Sequence, residues 1–303
     1  MVAHAGGHDV VMPRCSGHLC PTRYIGNGFV RTMSSSALAR ASYRRPRAVD
    51  PDGQKGTGMY SFEGDIRYSE VDEDGVLTIP SMTNYLQDCA LFHSEAIGRG
   101  AFHAREVHLS WLVSAWEIQI SRLPRFTDHV VVSTWATQFK GIFARRNFTM
   151  VGADGAELVR ADSQWFMYDD RLGRPVRAPR EELAPYDPDL ANDVPLDMPP
   201  LQRQIRLDAP REAGVAAEPV VVARAHIDTN HHVNNAQYIA MAFDALPENA
   251  DADARWLEVQ YCTAARLGDT IYPHVYEVQD GHAVTLDDAE TGGKPYAVVR
   301  VRR

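Results

Sequence analysis

A chain of 303 residues, 45% hydrophobic and 23% charged, has the composition of an ordinary globular protein and length enough for two domains. Its net charge of −9 argues against nucleic acid as a partner, and no apolar run of 18 residues offers a membrane span. The four cysteines (Cys15, Cys20, Cys89, Cys262) form no Cys-x-x-Cys pair, which points to a reducing, cytoplasmic compartment rather than a disulfide scaffold.

Residues 1–58 carry a net charge of +5, which leaves −14 on the remainder. They are rich in Gly, Ser, Arg and Pro and lack apolar periodicity, so they read as a disordered tail. His4, His8, Cys15, His18 and Cys20 within it match no common zinc spacing. The stretch from Met33 to Arg45 is Arg/Ser-rich and acid-poor, as transit peptides are. The simpler expectation is an over-extended start, with Met33 or Met59 as the first residue.

From Met59 the pattern becomes regular. Tyr60–Tyr68 reads as a strand. Ile79–Ile97 reads as a helix whose face carries Met82, Tyr85, Leu86, Cys89, Ala90 and His93. Cys89 and His93 stand one turn apart, a spacing that suits a metal pair. With no third ligand nearby in sequence, core packing is the expectation. Four strands follow at His108–Arg122, Thr127–Phe139, Gly141–Val151 and Glu157–Asp169, with a hairpin signal at Gly152–Gly155. Trp111, Trp116, Trp135 and Trp165 are expected in the sheet and core. Lys140, Arg145 and Arg146, with Arg122 and Arg125, form the densest candidate basic patch, against which stands an ordinary solvated face. Nine of the 18 prolines lie between Pro175 and Pro219 and mark a linker.

The order then repeats, with a strand at Glu218–Ile227 and a helix at Asn234–Leu246. Strands follow at Arg255–Thr263, Asp269–Val278, His282–Asp287 and Pro295–Val301. Arg67–Asp72 followed by Asn84–Gln87 parallels Arg224–Asp228 followed by Gln237–Ala240, with three more residues between Asp and Tyr in the first copy. The expected class is α+β: two tandem hot-dog domains, each an antiparallel sheet wrapped around a central helix. Their expected bounds are 59–180 and 216–303, with a Pro-rich linker at 181–215. A hot-dog normally pairs with another, and the duplication supplies that partner. Further pairing into a homodimer stays open.

Only the second copy carries Asp228-Thr-Asn-His-His-Val-Asn-Asn235, a carboxylate, carboxamides and two imidazoles at a helix start. Unpaired N–H groups there favour developing negative charge. If the piece is extended, Asp228, Asn230 and His232 share one face at about 7 Å spacing, with His231 opposite. That set suits addition of water to a carbonyl, since His titrates near neutral pH. An Asn/Asp-rich capping loop is the plainer reading, and it is the one preferred for Asn234 and Asn235.

These segments resemble the acyl-acyl-carrier-protein thioesterases of plastids and bacteria, over about Met59 to Arg303. The resemblance rests on Asp228–Asn235 with Tyr238, on Trp111-Leu-Val, on 122–128 and on Ser133-Thr-Trp135. Arg145-Arg-Asn-Phe148 and 161–167 complete the set. It implies hydrolysis of fatty acyl-acyl-carrier protein to free fatty acid in fatty acid biosynthesis. Asp228, Asn230 and His232 would be catalytic, the first domain would hold the acyl chain, and an acidic carrier protein would dock nearby. No metal or cofactor is implied. The family's glutamate after the helix is replaced by Ala264. Glu258 lies six residues from that place, roughly 20 Å along a strand, and Cys262 is about 7 Å from it. Direct attack by Asp228 and, more weakly, Cys262 as nucleophile with His232 and Asn230 stay open. So do an acyl-coenzyme A thioesterase, a hot-dog 3-hydroxyacyl thioester dehydratase and a non-catalytic acyl or lipid-binding module.

Overall fold

The computed structural model describes residues 58–186, 195–202, 204–207, 209–247, 250 and 253–303. The expected tail, with its His/Cys set and the alternative start at Met33, lies outside the described residues. Strand β1 (Met59–Asp65) runs through a 3-10 turn at Tyr68–Glu70 to the long helix α1 (Ile79–Ala96). Thr78 caps α1 by accepting the Ser81 amide on Oγ1, and Pro80 sits in the first turn, where its missing N–H costs nothing. The stripe Met82, Leu86, Cys89, Ala90 and His93 is buried, as its three-to-four spacing requires. Cys89 and His93 are thus core residues.

A short helix α2 (Ala101–Val107) leads to four long strands: β2 (Leu109–Ile120), β3 (His129–Lys140), β4 (Phe143–Gly152) and β5 (Glu157–Asp169). Strand β6 (Arg174–Val176) and helix α3 (Arg180–Leu183) close this half. The second half holds β7 (Val215–Ala216), β8 (Val220–Val221), a 3-10 turn at Arg224–His226 and helix α4 (Asn235–Asp244). It ends with β9 (Trp256–Tyr261), β10 (Thr270–Val278), β11 (Gly281–Asp287) and β12 (Pro295–Arg302).

One antiparallel sheet spans both halves in the order β1-β3-β4-β5-β2-β9-β12-β11-β10-β7, with β6 on β5 and β8 on β10. Read inward from its two ends, the sheet has the same order in each half, so the duplication extends to topology. Helix α1 packs on β1 and β3, helix α4 on β11 and β12, and the helices touch each other. Each half is therefore a hot-dog, and the pair is fused where β2 meets β9, with Ala115–Gln119 facing Gln260–Trp256. The fusion pairs two edges that would otherwise expose unbonded backbone.

At the centre of that seam Glu117 faces Glu258, and both are buried. Arg302 reaches them at 3.5 and 3.4 Å. Burial and the facing Glu258 push the Glu117 carboxyl up to about 8 despite Arg302.

One expected strand changes, and one helix is added. The strand at Glu218–Ile227 shrinks to Val220–Val221 because the chain turns into the 3-10 segment, with Val222 adding two bonds, its N–H to the Asp269 carbonyl and its carbonyl from the Gly268 amide. Helix α2 buries no residue, so its sequence carries no apolar stripe to reveal it. The described parts of the 181–215 stretch contact helix α2 and strands β4 and β9. Glu182 accepts from His103 at 2.9 Å, the Leu196 amide donates to Asn147 at 3.0 Å, and the Ile205 amide donates to Gln260 at 3.1 Å. Among the described residues no helix is long and apolar enough to cross a membrane.

Candidate active site

The same turn occurs once in each half. In the first, the Asp72 amide donates to the Val76 carbonyl at 2.9 Å, and Asp72 Oδ1 accepts the Asp74 and Val76 amides at 3.0 and 2.8 Å. In the second, the Asp228 amide donates to the His232 carbonyl at 2.9 Å, and Asp228 Oδ1 accepts the Asn230 and His232 amides at 2.8 and 3.4 Å. Each is an Asx-type turn, in which a short carboxylate takes the place of a backbone acceptor. Gly75 and His231 stand at the left-handed position, with φ of 73° and 61°. Bridges Val71–Leu77 and Ile227–Val233 close the two turns.

The register is therefore Asp72 with Asp228, Asp74 with Asn230, Gly75 with His231, and Val76 with His232. Thr78 and Asn234 are the matching helix caps. The three extra residues of the first copy lie within its helix, between cap and tyrosine, and not in the turn.

The segment 228–232 is thus folded back rather than extended, because one Asp oxygen gathers two amides. The turn still collects Asp228, Asn230 and His232. Asn230 is exposed, and Asp228 and His232 are half-buried at the rim. Among the described residues no hydrogen bond joins their side chains to one another, which leaves Asn230 and His232 free to meet a ligand. His231 is exposed and turned by its positive φ.

The helix start is more selective than its position alone implied. Asn234 Oδ1 accepts the Ala236 amide at 2.8 Å and the Asn234 carbonyl accepts the Gln237 amide at 2.9 Å. Of the first three amides of α4, the Asn235 N–H is the one left without a partner among the described residues. Asn235 does not cap: its Nδ2 donates to Gln87 Oε1 on α1 at 2.8 Å, and its carbonyl accepts the Tyr261 hydroxyl at 3.1 Å. This inter-helix tie was not legible in the sequence, since its partner lies 148 residues away.

Strand β9 stops at Tyr261, and the Cys262 and Thr263 amides both donate to the Tyr296 carbonyl, at 2.8 and 3.2 Å. Distances reckoned along an extended strand to position 264 therefore do not apply. Ala264 is exposed beside the turn, because Ala265 accepts the Val233 amide at 3.0 Å and donates its own amide to Tyr238 Oη at 2.7 Å. Glu258 belongs to the buried seam. Cys262 is a free, exposed thiol with a sulfur contact to the Gln260 carbonyl at 4.0 Å. Desolvation, reinforced by Asp287 and opposed by Arg211, holds its pKa above the ordinary value, which disfavours a thiolate nucleophile.

The candidate basic patch does not form as one surface. Arg146 is buried and Arg145 pairs with Asp162, because alternation along β4 turns Arg146 inward. Exposed cations instead flank the second turn. Arg224 and Arg266 lie near exposed Val221 and Leu267, a grouping fixed by the Gly268 amide on the Val222 carbonyl and by the Val233–Ala265 bond.

Family models for the acyl-ACP thioesterase N-terminal and C-terminal domains match residues 58–186 and 212–300. A chloroplastic palmitoyl-acyl carrier protein thioesterase of Gossypium hirsutum is 28% identical over 217 residues, 67% of this chain and 52% of that protein. One of Arabidopsis thaliana is 26% identical over 259 residues, 76% of this chain and 63% of that protein. The chain thus spans between half and two thirds of the length of these relatives. A Lactobacillus plantarum crystal structure named as an oleoyl thioesterase superposes with a TM-score of 0.69 at 27% identity, covering 81% of this chain and 97% of that one. Two domain models in order, a duplicated hot-dog and a polar turn at the second helix place this chain in the acyl-ACP thioesterase family.

Proposed function

We propose that the protein hydrolyses the thioester of fatty acyl-acyl-carrier protein at the 228–235 turn and releases free fatty acid for fatty acid biosynthesis. One observation carries this reading. Two turns share a backbone and an Asp, yet only the second places Asn230 and His232 where the first has Asp74 and Val76. A shared scaffold accounts for the Asp in both copies and leaves the Asn–His pair to chemistry.

In this reading His232 takes a proton from water as it attacks the carbonyl carbon. Asn230 orients that water. The Asn235 N–H, the free amide of the helix start, stabilises the developing oxyanion. Asp228 holds the turn with Oδ1, and its charge favours the imidazolium as it forms. His232 then returns the proton to the departing thiolate. The first domain, 59–180, holds the acyl chain, and 216–303 supplies the chemistry. The two free described cysteines suit a reducing compartment, cytoplasmic or plastid-like.

The acidic carrier protein docks on the Arg224/Arg266 rim with Val221 and Leu267 beneath it. Arg266→Glu is expected to raise KM for acyl-carrier protein at least tenfold, in a salt-dependent way, with kcat nearly unchanged. An unchanged KM would remove this rim from the docking site. The function itself is tested by free thiol release from a ladder of acyl-carrier-protein and acyl-coenzyme A substrates. Asn230→Ala is expected to lose at least a hundredfold in kcat. A 3-hydroxyacyl dehydratase would release no thiol and would tolerate that variant, and a binding module would turn over nothing.

A further inference from the structure

Asn235 is held by groups from both halves of the molecule. Its Nδ2 donates to Gln87 Oε1 on α1 at 2.8 Å, and its carbonyl accepts the Tyr261 hydroxyl, at the end of β9, at 3.1 Å. The Tyr261 ring rests 5.9 Å from the Tyr238 ring, and burial holds its hydroxyl above the ordinary tyrosine pKa, so it stays a donor. Asn235 is also the first residue of α4, and the first amides of a helix have no partner within it. Helix ends fray, so an N–H there keeps one direction only where other groups fix its residue.

The bond to Gln87 is the one side-chain hydrogen bond between α1 and α4 among the described residues. The duplication shows that the scaffold does not require it. Aligning the helices on Tyr85 and Tyr238 puts Ala240 where α1 has Gln87. Aligning the caps Thr78 and Asn234 puts Ile79 where α4 has Asn235. Neither Ala240 nor Ile79 has a polar side-chain atom, so the reciprocal tie cannot form. A pin that served only helix packing would be as useful in the reverse direction. The tie instead runs one way, to the helix start that follows the turn with Asn230 and His232.

We propose that Gln87 is a positioning residue for thioester hydrolysis: acting through the Asn235 side chain, it aims the Asn235 N–H at the carbonyl oxygen of the substrate. This rests on the reaction proposed above and gives the first half a share in its centre. Gln87 itself touches no reacting atom. An oxyanion donor stabilises charge only while it is held within about 0.5 Å of its place. A loosened Asn235 keeps its N–H but spreads it over several directions. The loss then falls on the transition state rather than on the bound substrate.

The test is steady-state thiol release from acyl-acyl-carrier protein by the native full chain, Gln87→Met, Asn235→Ala and the double variant, with the melting temperature of each. Methionine keeps the length and helix propensity of glutamine and removes the acceptor. Alanine at 235 removes the side-chain donor and keeps the backbone N–H. Each single variant is expected to lower kcat about tenfold to a hundredfold, less than outright loss of an oxyanion donor, with KM within about twofold of native. The double variant is expected to match the singles, because the second change finds no bond left to remove. A residue that only braced the helices would lower the melting temperature and leave kcat in place. A kcat within about twofold of native in either single variant, or losses that multiply in the double variant, would overturn the proposal. The bond is cut from either end, so one variant suffices where the other fails to fold. No thiol release by the native chain would overturn the hydrolysis itself, whereas native release with an unmoved kcat in the variants would overturn the role of Gln87 alone.

Discussion

His231 and Gly75 occupy one left-handed position in two copies of a turn, and only glycine fits it without cost. A non-glycine residue there costs about 1 kcal/mol. His231→Gly should therefore stabilise the fold by roughly 0.5–1 kcal/mol in thermal melts and leave thiol release intact. Loss of activity in that variant would move the chemistry from His232 to His231. Asp72 and Asp228 make a second pair. Alanine at either removes an acceptor for two amides and should cost about 1–3 kcal/mol. Only Asp228→Ala should also abolish hydrolysis, and an equal loss of activity in Asp72→Ala would reduce Asp228 to a structural role. The density of Asp, Asn and His marked this place in the sequence. Its geometry was misjudged because the same Asp that suggested chemistry also folds the segment back on itself. Arg146 was a candidate for a surface patch, since two adjacent arginines on a strand do not reveal which of them points inward.

At the scale of elements, the seam between β2 and β9 has its own pH dependence. The Glu117 carboxyl titrates at about 8 in the fold and near 4.5 in the unfolded chain. The folded protein binds the extra proton between those values. This contribution to stability is complete below about pH 4.5 and is lost as pH rises through 8. Thermal melts from pH 5 to 8.5 should show stability falling by an amount on the order of 1–3 kcal/mol, and Glu117→Gln should flatten the curve. A native profile as flat as that of the variant would remove Glu117 from the account. The long strands were legible because Val, Ile, Phe and Trp alternate over ten or more residues. The Glu218–Ile227 strand was not: Pro219 and the 3-10 segment Arg224–His226 break it, and neither has an apolar period. The seam pairing was beyond reach too, because Glu117 and Glu258 meet across 141 residues of chain.

At the scale of the whole molecule, a duplicated scaffold has kept one turn in two places, and only the second carries Asn230 and His232. The parallel between Arg67–Asp72 and Arg224–Asp228 disclosed the duplication in the sequence. The structure extends it to bridges, caps, 3-10 turns and strand order. Two halves of one topology give the molecule two helix starts, and the side chains of the turn are what distinguish them. The missing glutamate bears on the same division. Ala264 is exposed, so Ala264→Glu should fold as the native chain does and change kcat less than tenfold, whereas a much larger gain would show that the turn is an incomplete set. The most direct measurement of the central claim is single-turnover thiol release from acyl-acyl-carrier protein by the native chain and by His232→Gln, with melting of both recorded. The account predicts a loss of about 10²–10⁴-fold at unchanged melting temperature, the range typical for a general base. A variant that releases thiol within tenfold of the native rate would contradict it.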